Sequence, residues 1–148
     1  SVSTAERNIL RNFADEFPFC WACGSPHMAT FTTGNTPLLT YPRSLEIHHI
    51  LGGSARRPHD PRNLSRLCKL CHDLAGGATI RLLGHPPGVT KPLPNLRLDH
   101  VLWLKHKADP EHYDRKFLNG LRSRALPPMR STPTWFTEQR TRFGHCGW

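Results

Sequence analysis

Two Cys-x-x-Cys pairs constrain the fold of this chain more than any other feature. They are Cys20 with Cys23, and Cys68 with Cys71. With no secretory signal visible in the sequence, we expect pairs at this spacing to form a tetrahedral zinc site rather than a disulfide framework. Disulfides or unrelated thiols are the alternative. The fifth cysteine, Cys146, stands apart from both pairs and is interpreted as uninvolved.

Composition and charge narrow the class of partner. Only 37% of the 148 residues are hydrophobic, so the core should be small, and no apolar run approaches the ~20 residues of a membrane helix. The formal net charge is +9 and most of the cations are arginine, whose planar guanidinium matches phosphate. The positive excess is concentrated after residue 77. This predicts a polyanionic partner, nucleic acid first, with a basic but unpartnered protein as the alternative.

Local patterns predict a helix and a hairpin in the first half of the chain. Ser3 and Glu6 fit a capping box before an apolar helical stripe that Pro18 ends. A β-rich run over 45–51 and a second over 63–67 predict two short strands, the second leading directly into the second cysteine pair.

Helix signals return after a segment rich in proline and glycine. Residues 84–95 predict a linker or an extended arm. Beyond it we expect a helix that Asp99 caps, a second that begins at Asp109 and is ended by Pro127 and Pro128, and a third that begins at Thr134. The predicted organisation is therefore an N-terminal helix (1–17), a zinc-stabilised core (18–77), a linker (78–95) and a basic helical region (96–148).

Between and beside the cysteine pairs lie residues that carry chemistry. His48 and His49 occur in Leu-Glu-Ile-His-His-Ile-Leu-Gly-Gly, Asn63 opens Asn-Leu-Ser-Arg-Leu, and His72 follows the last paired cysteine directly. Together with the cysteines, these residues resemble the HNH (His-Asn-His) endonuclease family in its zinc-stabilised, four-cysteine form. The resemblance covers about residues 18–77.

The resemblance implies both a fold and an activity. The fold would be α+β, with a small ββα-metal, treble-clef-like core, a four-cysteine structural zinc and flanking helices. The activity would be divalent-metal-dependent hydrolysis of DNA phosphodiester bonds, by nicking or by double-strand cleavage, leaving a 5′-phosphate and a 3′-hydroxyl. The partner would be DNA, most naturally double-stranded, and the protein a monomer or weak dimer without a membrane association.

The resemblance also implies roles for individual residues. His48 and His72 would bind the catalytic cation, His49 would be the general base, and Asn63 would hold the hairpin loop and help to orient His49. Adjacent strand residues point to opposite faces, which is compatible with separate roles for the two neighbouring histidines. Two imidazoles favour Mn²⁺, Co²⁺, Ni²⁺ or Zn²⁺ over Mg²⁺. His59 or Glu46 could add a third ligand.

Basic residues around this site could contact DNA phosphates without reading sequence. The nearest are Arg56, Arg57, Arg62, Arg66 and Lys69. A second arginine set could extend the contact across the duplex, and it consists of Arg115, Arg122, Arg124, Arg130, Arg140 and Arg142.

Two other classes of protein share parts of this pattern. A non-catalytic zinc-ribbon module that binds nucleic acid explains the cysteines and the charge but leaves the histidines incidental. A c-type cytochrome would use Cys68, Cys71 and His72 as a haem attachment site, but the other cysteine pair and the positive charge argue against it.

The small size leads us to expect a phage-encoded protein in the host cytoplasm.

Overall fold

The computed structural model describes residues 2–27, 29–32, 40–52, 57–82, 91–145 and 148. Within these residues, helices and short two-stranded antiparallel sheets make a mixed α+β fold, as predicted. None of the described helices is long and apolar enough to cross a membrane. The elements are α1 (Thr4–Glu16), β1 (Ala29–Thr32), β2 (Thr40–Arg43), β3 (Leu45–His49), β4 (Leu64–Cys68), α2 (Lys69–Ala75), β5 (Arg81–Leu82), β6 (Lys91–Pro92), α3 (Leu98–Ala108), α4 (Arg115–Asn119) and α5 (Thr134–Arg142).

Helix α1 has the predicted cap and fixes the start of the core. The Ser3 side chain accepts a hydrogen bond from the Glu6 backbone, and the Glu6 carboxylate accepts one from the Ser3 backbone. At the other end, the rings of Phe13 and Phe17 meet the buried Trp21 ring edge-on, with centroids 5.7 and 5.0 Å away. Because Trp21 lies in the turn of the first cysteine pair, α1 is packed directly on that turn.

The central element is a hairpin that continues into a helix. Strands β3 and β4 pair in antiparallel register, with His48 opposite Ser65 and His49 opposite Leu64. Directly opposed residues share a face, so the two histidines point to different sides of the hairpin. Strand β4 ends at Cys68, and α2 begins at the next residue. This ββα arrangement is the predicted core.

The single helix expected between Asp109 and Pro127 is wrong. The chain instead forms a short 3₁₀ turn over Pro110–His112 and then a separate helix, α4, whose N-terminus is capped by the Asp114 side chain. The physical reason lies in Asp109, which is buried and whose carboxylate accepts from Lys105 and also contacts the His112 ring. Because these two contacts engage the Asp109 carboxylate, it makes no capping hydrogen bond to the backbone that follows.

The start of α3 also differs from the expectation. The N-cap residue is Arg97, whose backbone N–H donates to the His100 ring at 3.0 Å. Asp99 lies in the first turn rather than at the N-cap, and its carboxylate accepts from the His100 backbone at 2.8 Å and forms an ion pair with Arg130 at 3.1 Å.

The second half of the chain packs on the same core as the first. Leu93, from the segment expected to be a linker, is buried, and so is Leu96 just after that segment, whose backbone donates to Leu74 of α2. Arg140 on α5 is fully buried and donates to the backbone carbonyls of Ala22 and Trp148, each at 2.8 Å. Arg140 is therefore not part of a DNA-binding surface, contrary to expectation. The boundaries at 77 and 95 remain predictions.

Lys105 connects α3 to the hairpin, and its removal should destabilise the fold. Its fully buried ammonium donates to the carbonyls of Pro61 and Leu64 at 2.5 and 2.9 Å, and to Asp109 at 2.9 Å. Breaking a buried ion pair costs about 3–5 kcal/mol because a charge is left without its partner. We expect Lys105→Met to lower the free energy of unfolding by about that amount in urea denaturation. Lys107→Met, on the exposed face of α3, is the control and should change it little. Equal stability of the two variants would contradict this role.

Candidate active site and metal centre

The four paired cysteines converge at one buried point. Cys20 and Cys23 come from the turn after α1, and Cys68 and Cys71 from the junction of β4 with α2. Their sulfur atoms all lie within 4.8 Å of one another, and Cys23 and Cys68 are 3.7 Å apart. Four sulfurs around one zinc ion, at ~2.3 Å bonds, stand roughly 3.8 Å from each other. The geometry therefore fits a tetrahedral metal site.

The two pairs are built alike. In each pair the backbone N–H of the second cysteine donates to the sulfur of the first cysteine at 3.5 Å. Burial raises the pKa of the Cys20 and Cys71 thiols, whereas hydrogen bonds with neighbouring thiols, Cys20 foremost, lower the pKa of Cys23 and Cys68. Four thiolates in so small a buried space need a cation. The cluster can hold a structural metal ion such as zinc, and within the described residues no second group of three or more metal-ligating side chains is gathered as closely.

Two buried guanidinium groups stand near the sulfurs. The Arg43 Nη1 atom donates to the Cys23 sulfur at 3.8 Å. Burial lowers the pKa of Arg140, and the negative charge of Cys20, Cys23 and Cys71 partly opposes that effect. Four thiolates around a divalent ion carry a net charge of about −2, which these two cations would offset.

The two histidines predicted to bind a catalytic cation are brought together. The ring centroids of His48, on β3, and His72, on α2, lie 4.9 Å apart with the planes at 76°. The His72 Nδ1 atom is 2.8 Å from a carboxylate oxygen of Glu46, which leaves the Nε2 atom of His72 for another partner. The pKa of His48 is lowered to about 3, mainly by burial and to a lesser extent by the positive charge of His72. His48 is thus held in the neutral form that binds metals.

His49 lies on the other side of the strand and has a different partner. Its Nε2 atom is 2.9 Å from the Nδ1 atom of His59 in the hairpin loop. The Nδ1 atom of His49 is buried, with no hydrogen-bond partner in the described part of the chain. Burial first, and then the positive charge of Arg57, lower the pKa of His49 to about 4. The ring is therefore neutral at physiological pH and able to accept a proton.

Asn63 joins the two ends of the hairpin loop. It is fully buried, its Oδ1 atom accepts from the Leu51 backbone at 2.9 Å, and its Nδ2 atom donates to the carbonyls of Leu51 and Pro58 at 2.9 and 3.2 Å. In the described structure it makes no hydrogen bond to His49. Any effect of Asn63 on that ring therefore passes through the loop backbone.

The basic residues expected around the site fall into two groups. Arg62 is held by both oxygens of Asp60 and stacks over a phenyl ring, and the Nε atom of Arg66 donates to the Phe17 carbonyl at 2.9 Å, so both side chains have protein partners. Arg57 is exposed, and Lys69 forms only a part-exposed pair with Asp73. Arg56 lies outside the described residues, as does Cys146.

Two contacts in this site are ones that the sequence interpretation did not assign. Glu46 is one of the two candidates for a third metal ligand, and in the structure its carboxylate contacts the His72 ring. The signal was present, because Glu46 and His48 are two residues apart and share a strand face. His59 is the other candidate for a metal ligand, and in the structure its ring contacts the ring of His49. No local pattern indicates that contact, since it depends on how the loop closes.

The fold and the cluster define a small α+β metal-binding domain built on a ββα unit. A comparison with protein families agrees with the predicted resemblance: the model of the HNH endonuclease family matches residues 20–77. The match confirms the resemblance over this segment and suggests, at the level of the family, a nuclease that acts on nucleic acid. Searches of curated proteins and of solved structures found no match. A phage origin stays a hypothesis.

Proposed function

We propose that the protein is a divalent-metal-dependent endonuclease that hydrolyses DNA phosphodiester bonds and leaves a 5′-phosphate and a 3′-hydroxyl. The observation that supports this most is the contact between the His48 and His72 rings on the ββα unit, with a third imidazole at the adjacent residue His49. His48 and His72 meet on one side, and His49, the adjacent strand residue, presents a neutral ring from the other. Neither a structural role nor simple nucleic-acid binding requires that combination.

The residues present fit a catalytic cation. His48 is held neutral, and Glu46 engages Nδ1 of His72 so that Nε2 remains available. The Glu46 and His72 side chains are each more than a third exposed, so substrate can reach this edge of the site. A divalent cation bound by His48 and His72 supplies, when present, a Lewis acid that stabilises charge on the phosphate. Imidazole ligands favour Mn²⁺, Co²⁺, Ni²⁺ or Zn²⁺ over Mg²⁺.

His49 is proposed as the general base. A neutral imidazole can take the proton of the water that attacks phosphorus, and such proton transfer contributes about 10²–10⁴-fold to a rate. Asn63 supports this role indirectly by holding the loop that follows His49. The structural ion would be zinc, held by the four cysteines, which the donor set and its geometry favour.

DNA would approach over the exposed basic residues. Arg57 and Lys69 are the candidates whose charges face solvent, and double-stranded DNA is the substrate that the net charge of +9 favours. With one site in each monomer, single-strand nicks are the expected primary product, and a weak dimer could cut both strands.

A plasmid cleavage assay tests this function. Supercoiled plasmid is incubated with the protein and Mg²⁺, Mn²⁺, Co²⁺, Ni²⁺ or Zn²⁺, with and without EDTA. Conversion to the nicked form is expected with at least one transition metal, and the nicks should be closed by DNA ligase without prior phosphorylation. Folded, zinc-loaded protein that binds plasmid but cuts nothing with any of these metals would instead support the non-catalytic zinc-ribbon alternative.

The contact between Glu46 and His72 gives a prediction about metal affinity. A carboxylate that fixes the ring of a metal-binding histidine typically contributes about 10–100-fold in metal affinity or activity. Glu46→Ala should therefore raise the metal concentration for half-maximal nicking by about 10–100-fold. Glu46→Gln should change it much less, because its amide oxygen still accepts from Nδ1. The exposed Glu111→Ala is the control. Equal losses in the Ala and Gln variants would mean that Glu46 binds the cation directly.

A further inference from the structure

An open cavity lined by three arginines lies in the second half of the chain and shares no residue with the proposed catalytic site. Its volume is about 370 Å³. Arg97, at the start of α3, contributes to the lining from one segment, and Arg122 and Arg124 contribute from the turn that follows α4. All three lie outside residues 20–77, the segment that the family model matches. The nuclease resemblance therefore gives this cavity no role.

The lining of this cavity carries an excess of positive charge. Its one acid, Asp99, has a side chain only 19% exposed, and its carboxylate forms an ion pair with Arg130 at 3.1 Å. That pair balances the charge of Asp99. Arg97 and Arg124 are both exposed, and neither forms an ion pair within the part of the chain that the structure describes. The charges of the three lining arginines are thus left for a partner from solution.

Hydrogen bonds fix the turn that follows α4. The Arg122 Nη1 atom donates to the Ala125 carbonyl at 3.1 Å, which leaves the other N–H groups of this guanidinium available. The Leu126 backbone donates to the Asn119 side chain at 3.0 Å, and the Leu126 carbonyl accepts from Arg115 at 3.3 Å. A turn held in this way loses little conformational freedom when a ligand binds, which favours binding.

Both elements that flank the cavity are attached to the hairpin of the proposed catalytic site. Lys105 on α3 donates to two backbone carbonyls where the hairpin loop enters β4. On α4, the Phe117 ring centroid is 3.7 Å from the guanidinium carbon of Arg62, which lies in the same loop. Arg97 precedes Lys105 by eight residues, which is about 12 Å of helix. The cavity therefore has a fixed position relative to the hairpin.

We propose that this cavity binds the phosphodiester backbone of the DNA substrate, as a second contact outside the catalytic site. The inference rests on the proposed function for the identity of the polyanion. Guanidinium groups match phosphate oxygens in geometry and charge, and they form stronger hydrogen bonds with them than neutral donors do. Contacts to the backbone position a duplex without reading its sequence. A second fixed contact of this kind sets the direction in which the duplex crosses the hairpin.

Only some of the arginines expected to extend the DNA contact lie on this cavity. Arg122 and Arg124 belong to that expected set, whereas Arg97 does not and is identified by the structure alone. Three other members have roles within the protein, because one holds the turn, one pairs with Asp99 and one is buried: Arg115, Arg130 and Arg140.

The dependence of DNA affinity on salt tests the cavity. Fluorescence anisotropy gives the Kd of zinc-loaded protein for a labelled duplex over a range of KCl concentrations, without added divalent cation so that the duplex stays intact. Each phosphate contact contributes about 0.9 to the slope of log K against log salt concentration. We therefore expect the double variant Arg97→Gln, Arg124→Gln to have a slope shallower by about 1.8 and a Kd at least about tenfold higher near 0.1 M salt. Its unfolding midpoint should equal that of the wild type, because both side chains are exposed.

Two further double variants separate a site from a general effect of charge. Lys107→Gln with Lys116→Gln removes two exposed cations from the same two helices but none from the cavity, and should keep the wild-type slope. Arg97→Lys with Arg124→Lys keeps the positive charges and should also keep that slope. Equal reductions in the two glutamine variants would overturn the proposal.

The outcomes distinguish this proposal from the proposed function. Wild-type protein that nicks plasmid, beside an Arg97→Gln, Arg124→Gln variant with the wild-type slope, would overturn the cavity and leave the nuclease function in place. A shallower slope in that variant, with wild-type protein that binds DNA but cuts nothing with any metal, would support the cavity and overturn the nuclease function. Wild-type protein without measurable affinity for DNA would overturn both.

Discussion

Cys68→Ser is expected to release the structural zinc ion and to unfold the core. Cys68 is fully buried, ends β4, and caps α2 through the hydrogen bond that its sulfur accepts from the Cys71 backbone. Structural zinc contributes about 10–16 kcal/mol of apparent binding energy in small fingers, which equals or exceeds the total stability of most domains of this size. A serine hydroxyl is a poor zinc ligand, so the substitution removes most of that contribution.

Zinc content and circular dichroism measure this effect together. The wild type should carry one zinc ion per chain in the absence of added catalytic metal, and Cys68→Ser should carry much less than one and show no cooperative thermal transition. Cys146→Ser is the control, because Cys146 belongs to neither pair, and it should keep its zinc. A Cys68→Ser protein with full zinc and an unchanged melting temperature would show that the four thiols are not a structural metal site.

His49→Ala should have the opposite pattern, with fold and zinc intact and cleavage lost. His49 is only part-buried and does not touch the cysteine cluster, so its removal should affect stability little. On the proposed function, loss of the general base should lower the rate of nicking by about 10²–10⁴-fold. DNA affinity should stay within about twofold, because a neutral histidine contributes little to the salt-dependent contact with phosphates.

The decisive comparison is single-turnover nicking beside His106→Ala, a substitution on the exposed face of α3. Both proteins should have the same zinc content, unfolding midpoint and plasmid affinity as the wild type. His106→Ala should nick at the wild-type rate. Wild-type turnover by His49→Ala would exclude His49 as the base and would leave the water to be activated by another group.

The parts of the fold that follow from short-range patterns were predictable. The α1 cap needs only a serine and a glutamate three residues apart, and each cysteine turn needs only its own pair. The β3–β4 hairpin and its continuation into α2 follow from β-rich runs on either side of a polar loop. The family resemblance then predicted that the histidines lie together, and the ring centroids of His48 and His72 are indeed 4.9 Å apart.

The parts that depend on distant contacts were not predictable. Arg66 donates to Phe17 and Arg140 to Ala22, and nothing near either arginine in the sequence distinguishes it from an exposed cation. Asp109 carries a strong helix-start pattern together with Pro110, but burial against Lys105 gives its carboxylate another use. In each case a polar group was assigned to solvent or to its own backbone, and tertiary packing placed it inside the protein instead.

Cys71 and His72 are consecutive residues of α2, and Cys68 immediately precedes that helix. If the proposed function is right, zinc binding and the assembly of the hydrolytic site would be coupled within one helical turn. On the proposed function, a newly synthesised chain would gain the ability to damage DNA only after it had acquired its structural ion. A chain without zinc would then lack the folded site, so the supply of zinc would limit when the nuclease becomes active.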